Sequence, residues 1–256
     1  AAADYVLVES TYGDRTHPKN DPMEALGDVI EKTVRRGGTV IIPAFAVGRA
    51  QLIMYYLWKL KQAGRIKIVP IFLDSPMAIN ATDLLCRHLD DHRLSPDVCK
   101  QSCDIATYLR EVDDSKRITR DTTPKVVIAA SGMLTGGRVL HHLKAFGQDS
   151  RNTILFSGYQ AGGTRGEKLL NGAESVKMFG QWFPIRAEIA SLPALSAHAD
   201  SDEILKWLSG FKHAPARTFV VHGEPKASDA LRMRIGEELS WNSTVVDSTD
   251  RYFLEG

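Results

Sequence analysis

Short apolar segments alternate with segments of helical periodicity along most of this 256-residue chain, and this alternation constrains the fold more than any other feature. Residues 39–42 and 125–130 are rich in β-branched side chains, as is typical of strands buried on both faces. Residues 23–35 and 48–63 carry apolar side chains three and four positions apart and are followed by glycine, as amphipathic helices often are. Alternation of this kind predicts an α/β fold, with a parallel sheet and helices on both of its faces.

The rest of the chain extends this pattern. Further strands are predicted at residues 5–8, 66–73, 152–156 and 218–221, and further helices at residues 138–146, 201–208 and 227–239. Residues 182–189 alternate in polarity like an antiparallel strand. Residues 80–122 are polar, mostly helical in pattern, and predicted to form a peripheral excursion that holds all three cysteines. Cysteines that are odd in number and lack CxxC spacing are typical of free thiols.

Composition narrows the class of protein. A formal net charge of +1 excludes nucleic-acid binding through a basic tail. The same net charge is compatible with binding through a local basic groove. No segment approaches the roughly 20 apolar residues of a membrane span, and no signal peptide is visible. These features predict a cytoplasmic protein, or part of one, that does not enter a membrane.

Three side chains stand where strands end, the position at which α/β proteins place active-site groups. His198 and His222 each lie beside an apolar run and are followed by small, turn-forming residues. Glu9 ends the first strand and can act as a general acid or orient a metal-bound histidine, although its neighbours equally suit a cap and turn. Two histidines do not complete a catalytic zinc site, which takes three protein ligands. The remaining histidines are predicted to be solvated (His17, His88, His92 and His213) or to be structural or exposed (His141 and His142).

Two glycine-rich loops follow parallel strands and therefore lie at one edge of the predicted sheet. Their backbone N–H groups and hydroxyls can bind phosphate, while tight turn geometry is the alternative interpretation. Neither loop matches a P-loop or a GxGxxG fingerprint. An arginine in the first turn of the helix at 48–63 can likewise meet a phosphate or be solvated. The candidate phosphate-binding residues are Ser131, Gly132, Thr135, Gly136, Arg138, Ser157, Gly158, Thr164, Arg165 and Arg49.

Taken together, six segments resemble the β-CASP family of the metallo-β-lactamase superfamily, which are zinc-dependent RNA-processing nucleases. In the family's order they are ESTYGDR at 9–15, IPAFAVGRAQ at 42–51, SGMLTGGR at 131–138, SGYQAGGTRG at 157–166, SAHAD at 196–200 and VHGE at 221–224. The resemblance is closest to prokaryotic relatives of the nuclease that cuts pre-mRNA 3′ ends. It implies a parallel-sheet β-CASP domain at 14–186, flanked by segments 1–13 and 187–256 of an αββα metallo-β-lactamase domain.

The resemblance also implies roles for individual residues. Glu9 corresponds to the family's motif A acid, His198 to the motif B histidine that protonates the leaving group, and His222 to a zinc ligand in motif C. The family's HxHxDH motif precedes ESTYGDR, and this sequence begins just upstream of that segment. The chain is therefore expected to be the C-terminal portion of a zinc-dependent ribonuclease, endonucleolytic or 5′-to-3′ exonucleolytic. By itself it is expected to be inactive, with an incomplete zinc site and without the N-terminal half of its metallo-β-lactamase domain.

RNA is the expected partner, running between the two domains with its phosphates on the glycine-rich loops. A non-catalytic RNA-binding or scaffold module of the same family is the alternative, although the intact Glu9, His198 and His222 favour an active enzyme. A small-molecule α/β hydrolase or a flavodoxin-like domain is disfavoured because no nucleophile elbow or phosphate fingerprint of the right form is present. Association into a homodimer is left open.

Overall fold

The computed structural model describes residues 1–66 and 68–254. In chain order its strands are β1 (Tyr5–Glu9), β2 (Val40–Pro43), β3 (Ile71–Leu73), β4 (Thr107–Tyr108), β5 (Val126–Ala129), β6 (Thr153–Phe156), β7 (Ser175–Met178), β8 (Gln181–Pro184), β9 (Glu188–Ser191), β10 (Arg217–Val221) and β11 (Ser243–Val245). Its α-helices are α1 (Pro22–Arg35), α2 (Arg49–Gln62), α3 (Pro76–Arg87), α4 (Pro96–Cys103), α5 (Val112–Arg120), α6 (Val139–Phe146), α7 (Arg165–Leu170), α8 (Ser201–Leu208) and α9 (Pro225–Leu239). The chain divides into a larger compact unit, residues 19–195, and a smaller one formed by residues 1–18 together with residues from 196 onward.

The larger unit is built on a parallel sheet with the strand order β4-β3-β5-β2-β6-β9. Successive side chains of β2 enter two different cores, because neighbouring residues of a strand point to opposite faces. Val40 and Ile42 pack in one core with Leu57 of α2, whereas Ile41 packs in the other with Leu143 of α6. Helices therefore cover both faces of the sheet, and the predicted α/β fold is confirmed.

The compact units divide at residues 18 and 195, while the family-domain limits of 13 and 186 stay a prediction. Because β9 pairs in parallel with β6, residues 188–191 form an edge strand of the larger unit's sheet. The last two residues of the predicted segment 187–256 lie outside the described part of the chain. The assignment of the two units to particular family domains stays a prediction at this point.

Two predicted strands differ from the structure, and each contains a proline. Of the predicted strand 66–73 only β3 forms; it begins after Pro70, which has no N–H to give to a ladder, and residue 67 lies outside the described residues. The predicted antiparallel strand 182–189 is two strands that break after Pro184. The first, β8, is antiparallel to β7 as expected, while β9 is parallel to β6.

The smaller unit contains a parallel sheet with the order β1-β10-β11, packed against α8 and α9. Val6 and Val8 of β1 join Val220 of β10 in its core, together with Leu205 and Leu231 of the two helices. In-register pairing of β1 with β10 aligns their carboxyl ends, so the segments that follow the two strands begin side by side.

No helix in the described part of the chain combines the length and the apolar character that crossing a membrane requires.

Candidate active site

The three side chains singled out in the sequence come together in the smaller unit. Glu9 ends β1 and pairs in register with Val221, the last residue of β10, so that His222 follows directly beside it. His198 arrives from the segment before α8, which is held to the β1 side by a parallel bridge between Tyr12 and Asp200. The carboxyl ends of two adjacent parallel strands and the start of a helix thus form one cluster.

Glu9 holds the ring of His198. Its Oε2 lies 2.7 Å from His198 Nδ1, and its Oε1 accepts from the Ala199 backbone N–H at 3.2 Å. Thr11 Oγ1 donates to the same Oε2 at 2.7 Å. Burial raises the pKa of the Glu9 carboxyl, but the hydrogen bonds from Thr11, His198 and Ala199 together outweigh burial and leave the pKa below its ordinary value. Glu9 is therefore an ionised acceptor near neutral pH.

An ionised carboxylate can only accept, so Nδ1 of His198 carries the proton in this pair and Nε2 is the nitrogen left for other chemistry. The backbone around His198 is fixed as well. His17 Nε2 lies 2.8 Å from the His198 carbonyl oxygen, and the His17 backbone N–H donates to Asp200 at 2.7 Å. His17 was predicted to be solvated; it is half-buried instead, because residues 12–17 fold back onto the segment that carries His198.

His222 is exposed and adopts a left-handed backbone conformation, with φ of +56°. Its Nδ1 lies 3.2 Å from Thr11 Oγ1, and its ring centroid lies 5.2 Å from that of His198. The following Gly223 is required by packing, since a Cβ at this position would come within 2.3 Å of Ser10 Oγ. Ser10 in turn donates to the Val221 carbonyl at 2.8 Å and ties the two strand ends together.

The donor atoms of Glu9, His198 and His222 lie within 4.8 Å of one another. Two imidazoles and one carboxylate are donor types that catalytic zinc sites use. Because Glu9 is already engaged by His198, His222 is the donor most open to a metal ion. The residues present thus fit a zinc site in donor chemistry, with His222 as the ligand and Glu9 and His198 beside it.

The predicted phosphate loops lie in the larger unit, after β5 and β6, which flank β2. Ser131 Oγ accepts from the backbone N–H groups of Thr135 at 2.9 Å and Gly136 at 3.3 Å, so these two donors already have a partner within the loop. Ser157 is buried and donates to the Pro43 carbonyl at 3.4 Å. Thr164 caps α7 through the Glu167 N–H.

Among the described residues no atom crowds Gly136, Gly158 or Gly163 of these loops, whereas Gly132 is tightly packed. A Cβ would meet no atom within 4 Å at Gly136, Gly158 or Gly163, whereas at Gly132 it would lie 3.1 Å from Phe45. Open space around a backbone lets a ligand approach it closely.

Two of the three predicted phosphate-binding arginines, Arg138 and Arg165, brace the larger unit. Arg138 forms an ion pair with buried Asp74 at 2.7 Å and donates to the Leu109 and Arg110 carbonyls at 2.8 and 2.9 Å. Arg165 donates to the carbonyls of Lys177, Leu134 and Thr135. Arg49 is half-buried in the first turn of α2. Phosphate contact by these three arginines stays a prediction. For Arg138 and Arg165 the ion pair with Asp74 and the hydrogen bonds to backbone carbonyls favour a bracing role instead.

Asp74 directly follows β3 and was not singled out from the sequence. Its Oδ2 accepts from Ser115 Oγ at 2.5 Å and lies 2.6 Å from His142 Nε2, in addition to the Arg138 contact at Oδ1. Burial raises the pKa of the Asp74 carboxyl, but these hydrogen bonds outweigh it and hold the pKa below its usual range. His142, predicted to be structural or exposed, is structural and fully buried.

A pocket of about 480 Å³ opens where the two glycine-rich loops meet the β7–β8 hairpin. It is lined by Thr135, Gly162, Gly163, Thr164, Arg165, Lys168, Val176, Lys177 and Trp182. Trp182 is 67% exposed and lies opposite Lys177 across the hairpin. Sequence reasoning missed the two lysines and the tryptophan, because only the antiparallel pairing of β7 with β8 brings them to the loops.

Comparison with known proteins assigns the family. Residues 50–169 match the model of the Beta-Casp domain, and residues 182–246 match that of the Zn-dependent metallo-hydrolase RNA specificity domain. The chain belongs to the β-CASP family of metallo-β-lactamase-type proteins, as its six motifs indicated.

Its relatives include proteins named for RNA cleavage and for transcription termination. It is 39% identical to Ribonuclease TTHA0252 of Thermus thermophilus, over 93% of this chain and 56% of the relative. It is 32% identical to Transcription termination factor FttA of Methanosarcina mazei, over 91% of this chain and 39% of the relative. It is 31% identical to an RNase J-like protein of Methanocaldococcus jannaschii, over 92% of this chain and 56% of the relative. The chain thus spans about half or less of the length of these relatives.

Proposed function

We propose that this chain is part of a zinc-dependent nuclease that hydrolyses RNA phosphodiester bonds, by endonucleolytic cleavage, 5′-to-3′ exonucleolytic cleavage or both. The observation that carries the proposal is the cluster of Glu9, His198 and His222 at the carboxyl ends of β1 and β10. The match to an RNA specificity domain of Zn-dependent metallo-hydrolases supports both the metal and the substrate. The similarity to a Thermus thermophilus protein named as a ribonuclease supports the reaction.

In this proposal His222 would hold zinc, which when bound would supply activation of water and charge neutralisation at the phosphate. His198 protonates the leaving oxygen through Nε2, the nitrogen that Glu9 does not occupy. Glu9 stabilises the imidazolium form of His198 and fixes its orientation, as a carboxylate partner of a histidine general acid does. Thr11 holds the Glu9 carboxylate in place through its 2.7 Å hydrogen bond.

We further propose that residues 1–256 do not form a complete catalytic zinc site by themselves. With Glu9 committed to His198, the described residues offer His222 and the outer nitrogen of His198, whereas a catalytic zinc takes three protein ligands. Further ligands would then come from protein outside this sequence. A longer natural form of the protein should cleave RNA with zinc, while the 256-residue chain should not.

RNA binding is assigned to the larger unit, at the pocket between the glycine-rich loops and the β7–β8 hairpin. Lys168 and Lys177 offer cations for phosphates, and exposed Trp182 offers a ring on which a base can stack. The same pocket also suits the second candidate function, a module that binds RNA without cleaving it. We also propose that the protein is cytoplasmic. Sedimentation analysis can test whether it forms a homodimer.

One experiment separates the two functions. A labelled RNA is incubated with zinc and the longer protein, once as the wild type and once with His198→Ala, and products and binding are measured together. Hydrolysis that depends on His198 supports the nuclease. Binding of equal strength in both proteins, with no cleavage in either, would support the non-catalytic module instead.

A further inference from the structure

The helical excursion of the larger unit gathers the three cysteines into one cluster, although they are up to 17 positions apart. Cys86 lies in the last turn of α3, while Cys99 and Cys103 lie four residues apart on one face of α4. The Cys86 and Cys103 sulfurs are 2.6 Å apart, those of Cys86 and Cys99 are 3.7 Å apart, and all three lie within 4.8 Å of one another.

We propose that Cys86, Cys99 and Cys103 form a binding site for one thiophilic metal ion, Zn²⁺ or Cu⁺. Thiolates select these ions over the harder cations that prefer oxygen ligands. Sulfurs bound to zinc at about 2.3 Å in a tetrahedron lie about 3.8 Å apart. The Cys86–Cys99 distance of 3.7 Å fits this spacing, and the Cys86 and Cys103 sulfurs would separate by about 1.2 Å on binding.

The surroundings favour a metal over other uses of cysteine. Cys99 and Cys103 are buried, so neither is exposed to an external substrate as a reactive nucleophile usually is. A disulfide would use two of the three sulfurs and would leave the convergence of the third unexplained. A metal ion uses all three.

The access to the three sulfurs and the charge of the resulting complex are also compatible with a bound metal ion. Cys86 is half-buried, and Cys103 lines a cavity of about 320 Å³ together with Tyr55, Leu85 and Leu94. Binding of Zn²⁺ releases one proton from each of the three thiols and leaves a complex of charge −1. A fourth position remains for a small ligand such as water, whereas Cu⁺ is satisfied by the three sulfurs.

The ion would join α3 to α4. The α4 helix has eight residues, too few to be stable in isolation, and it therefore depends on packing or a crosslink. The site is distinct in chemistry from the cluster of Glu9, His198 and His222, which contains no sulfur.

The test uses the reduced 256-residue chain with Co²⁺ as a spectroscopic probe and with Zn²⁺ or Cu⁺ in competition. We expect one equivalent of Co²⁺ to produce a sulfur-to-cobalt charge-transfer band in the near ultraviolet, and one equivalent of the native ion to remove it. The ion that displaces Co²⁺ at the lower concentration is the ion that the site prefers. Cys86→Ser, Cys99→Ser and Cys103→Ser should each weaken the band, and the thermal stabilisation by Zn²⁺ should fall with it.

Two controls keep the result specific. Ser102→Ala changes a buried neighbour on α4, whose hydroxyl donates to the Cys99 carbonyl at 2.9 Å, without removing a thiol, and should keep the band. His222→Ala should keep it too, because imidazole gives no such band. If the Cys99 or Cys103 variant fails to fold, Cys86→Ala is used instead, because Cys86 is only half-buried.

Absence of the band in the folded, reduced wild type would overturn the proposal, as would a band that survives all three cysteine substitutions. A disulfide between Cys86 and Cys103 in the oxidised protein, combined with no Co²⁺ uptake after reduction, would assign the cluster to redox chemistry with a disulfide or peroxide oxidant. That outcome would overturn the metal site as well.

Discussion

Nδ1 of His198 lies 2.7 Å from Oε2 of Glu9, although 189 positions separate the two residues in the chain. The contact is accompanied by a long-range feature, the parallel bridge between Tyr12 and Asp200, which joins the segment after β1 to the segment that carries His198. Glu9 also accepts a hydrogen bond from the Ala199 N–H, so its carboxylate contacts both the His198 ring and the backbone of the next residue. Because Glu9 occupies Nδ1, Nε2 is the nitrogen of His198 that can transfer a proton.

His198→Ala should lower the rate of RNA cleavage by the complete enzyme about 10²- to 10⁴-fold, the usual contribution of general acid–base catalysis. RNA affinity should change little, because the lost interaction belongs to the transition state. Single-turnover cleavage and equilibrium binding measured on the same RNA check both statements. Unchanged turnover would rule out the assigned role.

Glu9→Gln should reduce cleavage less than His198→Ala does, because the amide oxygen still accepts from Nδ1 but carries no charge to stabilise the imidazolium. The lowered pKa of Glu9 keeps it ionised down to a pH below the ordinary value of 4.5. The negative charge that Glu9 places beside His198 is therefore fully present above that value and is lost as the pH falls through the folded-state pKa of Glu9. A pH–rate profile should lose this acidic limb in Glu9→Gln; an identical limb in both proteins would contradict the assignment.

The positions of Glu9 and His222 at strand ends were predictable, because parallel strands align their carboxyl ends whatever the details of packing. The expected strand end at His198 was wrong, since this residue lies in the segment between β9 and α8. The continuous β-branched run at 39–42 also predicted a strand buried on both faces, as β2 is. The supporting residues were not predictable in the same way. Thr11 and His17 lie in a turn whose path is set by the bridge to Asp200, which no local pattern encodes. Asp74 carried the same signal as Glu9, a carboxylate just after a strand, but its partners come from α5 and α6.

Arg138→Ala should destabilise the protein by about 3 kcal/mol, because removing one partner of a buried ion pair leaves Asp74 with less compensation. The salt dependence of RNA binding should stay unchanged if bracing is the role of Arg138. Arg151→Ala is the matched control, since its pair with Asp149 is exposed and should contribute little. Melting curves and a salt titration decide the point. A flatter salt dependence with unchanged stability would restore the phosphate-contact prediction.

Asp74 should make the larger unit sensitive to acid. Its folded-state pKa is lowered from 3.8, so its contribution to stability is present above that pH and is lost as the pH falls through the lower folded-state value. Asp74→Asn should be less stable than the wild type at neutral pH and should lose less further stability on acidification. Denaturant unfolding at a series of pH values measures this difference, and parallel curves for the two proteins would show that Asp74 is not the titrating group.

Trp182→Ala should weaken RNA binding through lost stacking while leaving its salt dependence unchanged, because the indole carries no charge. Stacking of one base contributes about 1–3 kcal/mol, which corresponds to a loss of affinity of roughly 5- to 150-fold. Lys177→Ala, the neighbour across the hairpin, should instead reduce the salt slope by about 1, as the loss of one phosphate contact does. Trp207→Ala is the control, an exposed tryptophan of the smaller unit outside this pocket. Equal losses for Trp182→Ala and Trp207→Ala would remove the pocket from the RNA-binding surface, because a stacking site affects only the tryptophan that lines it.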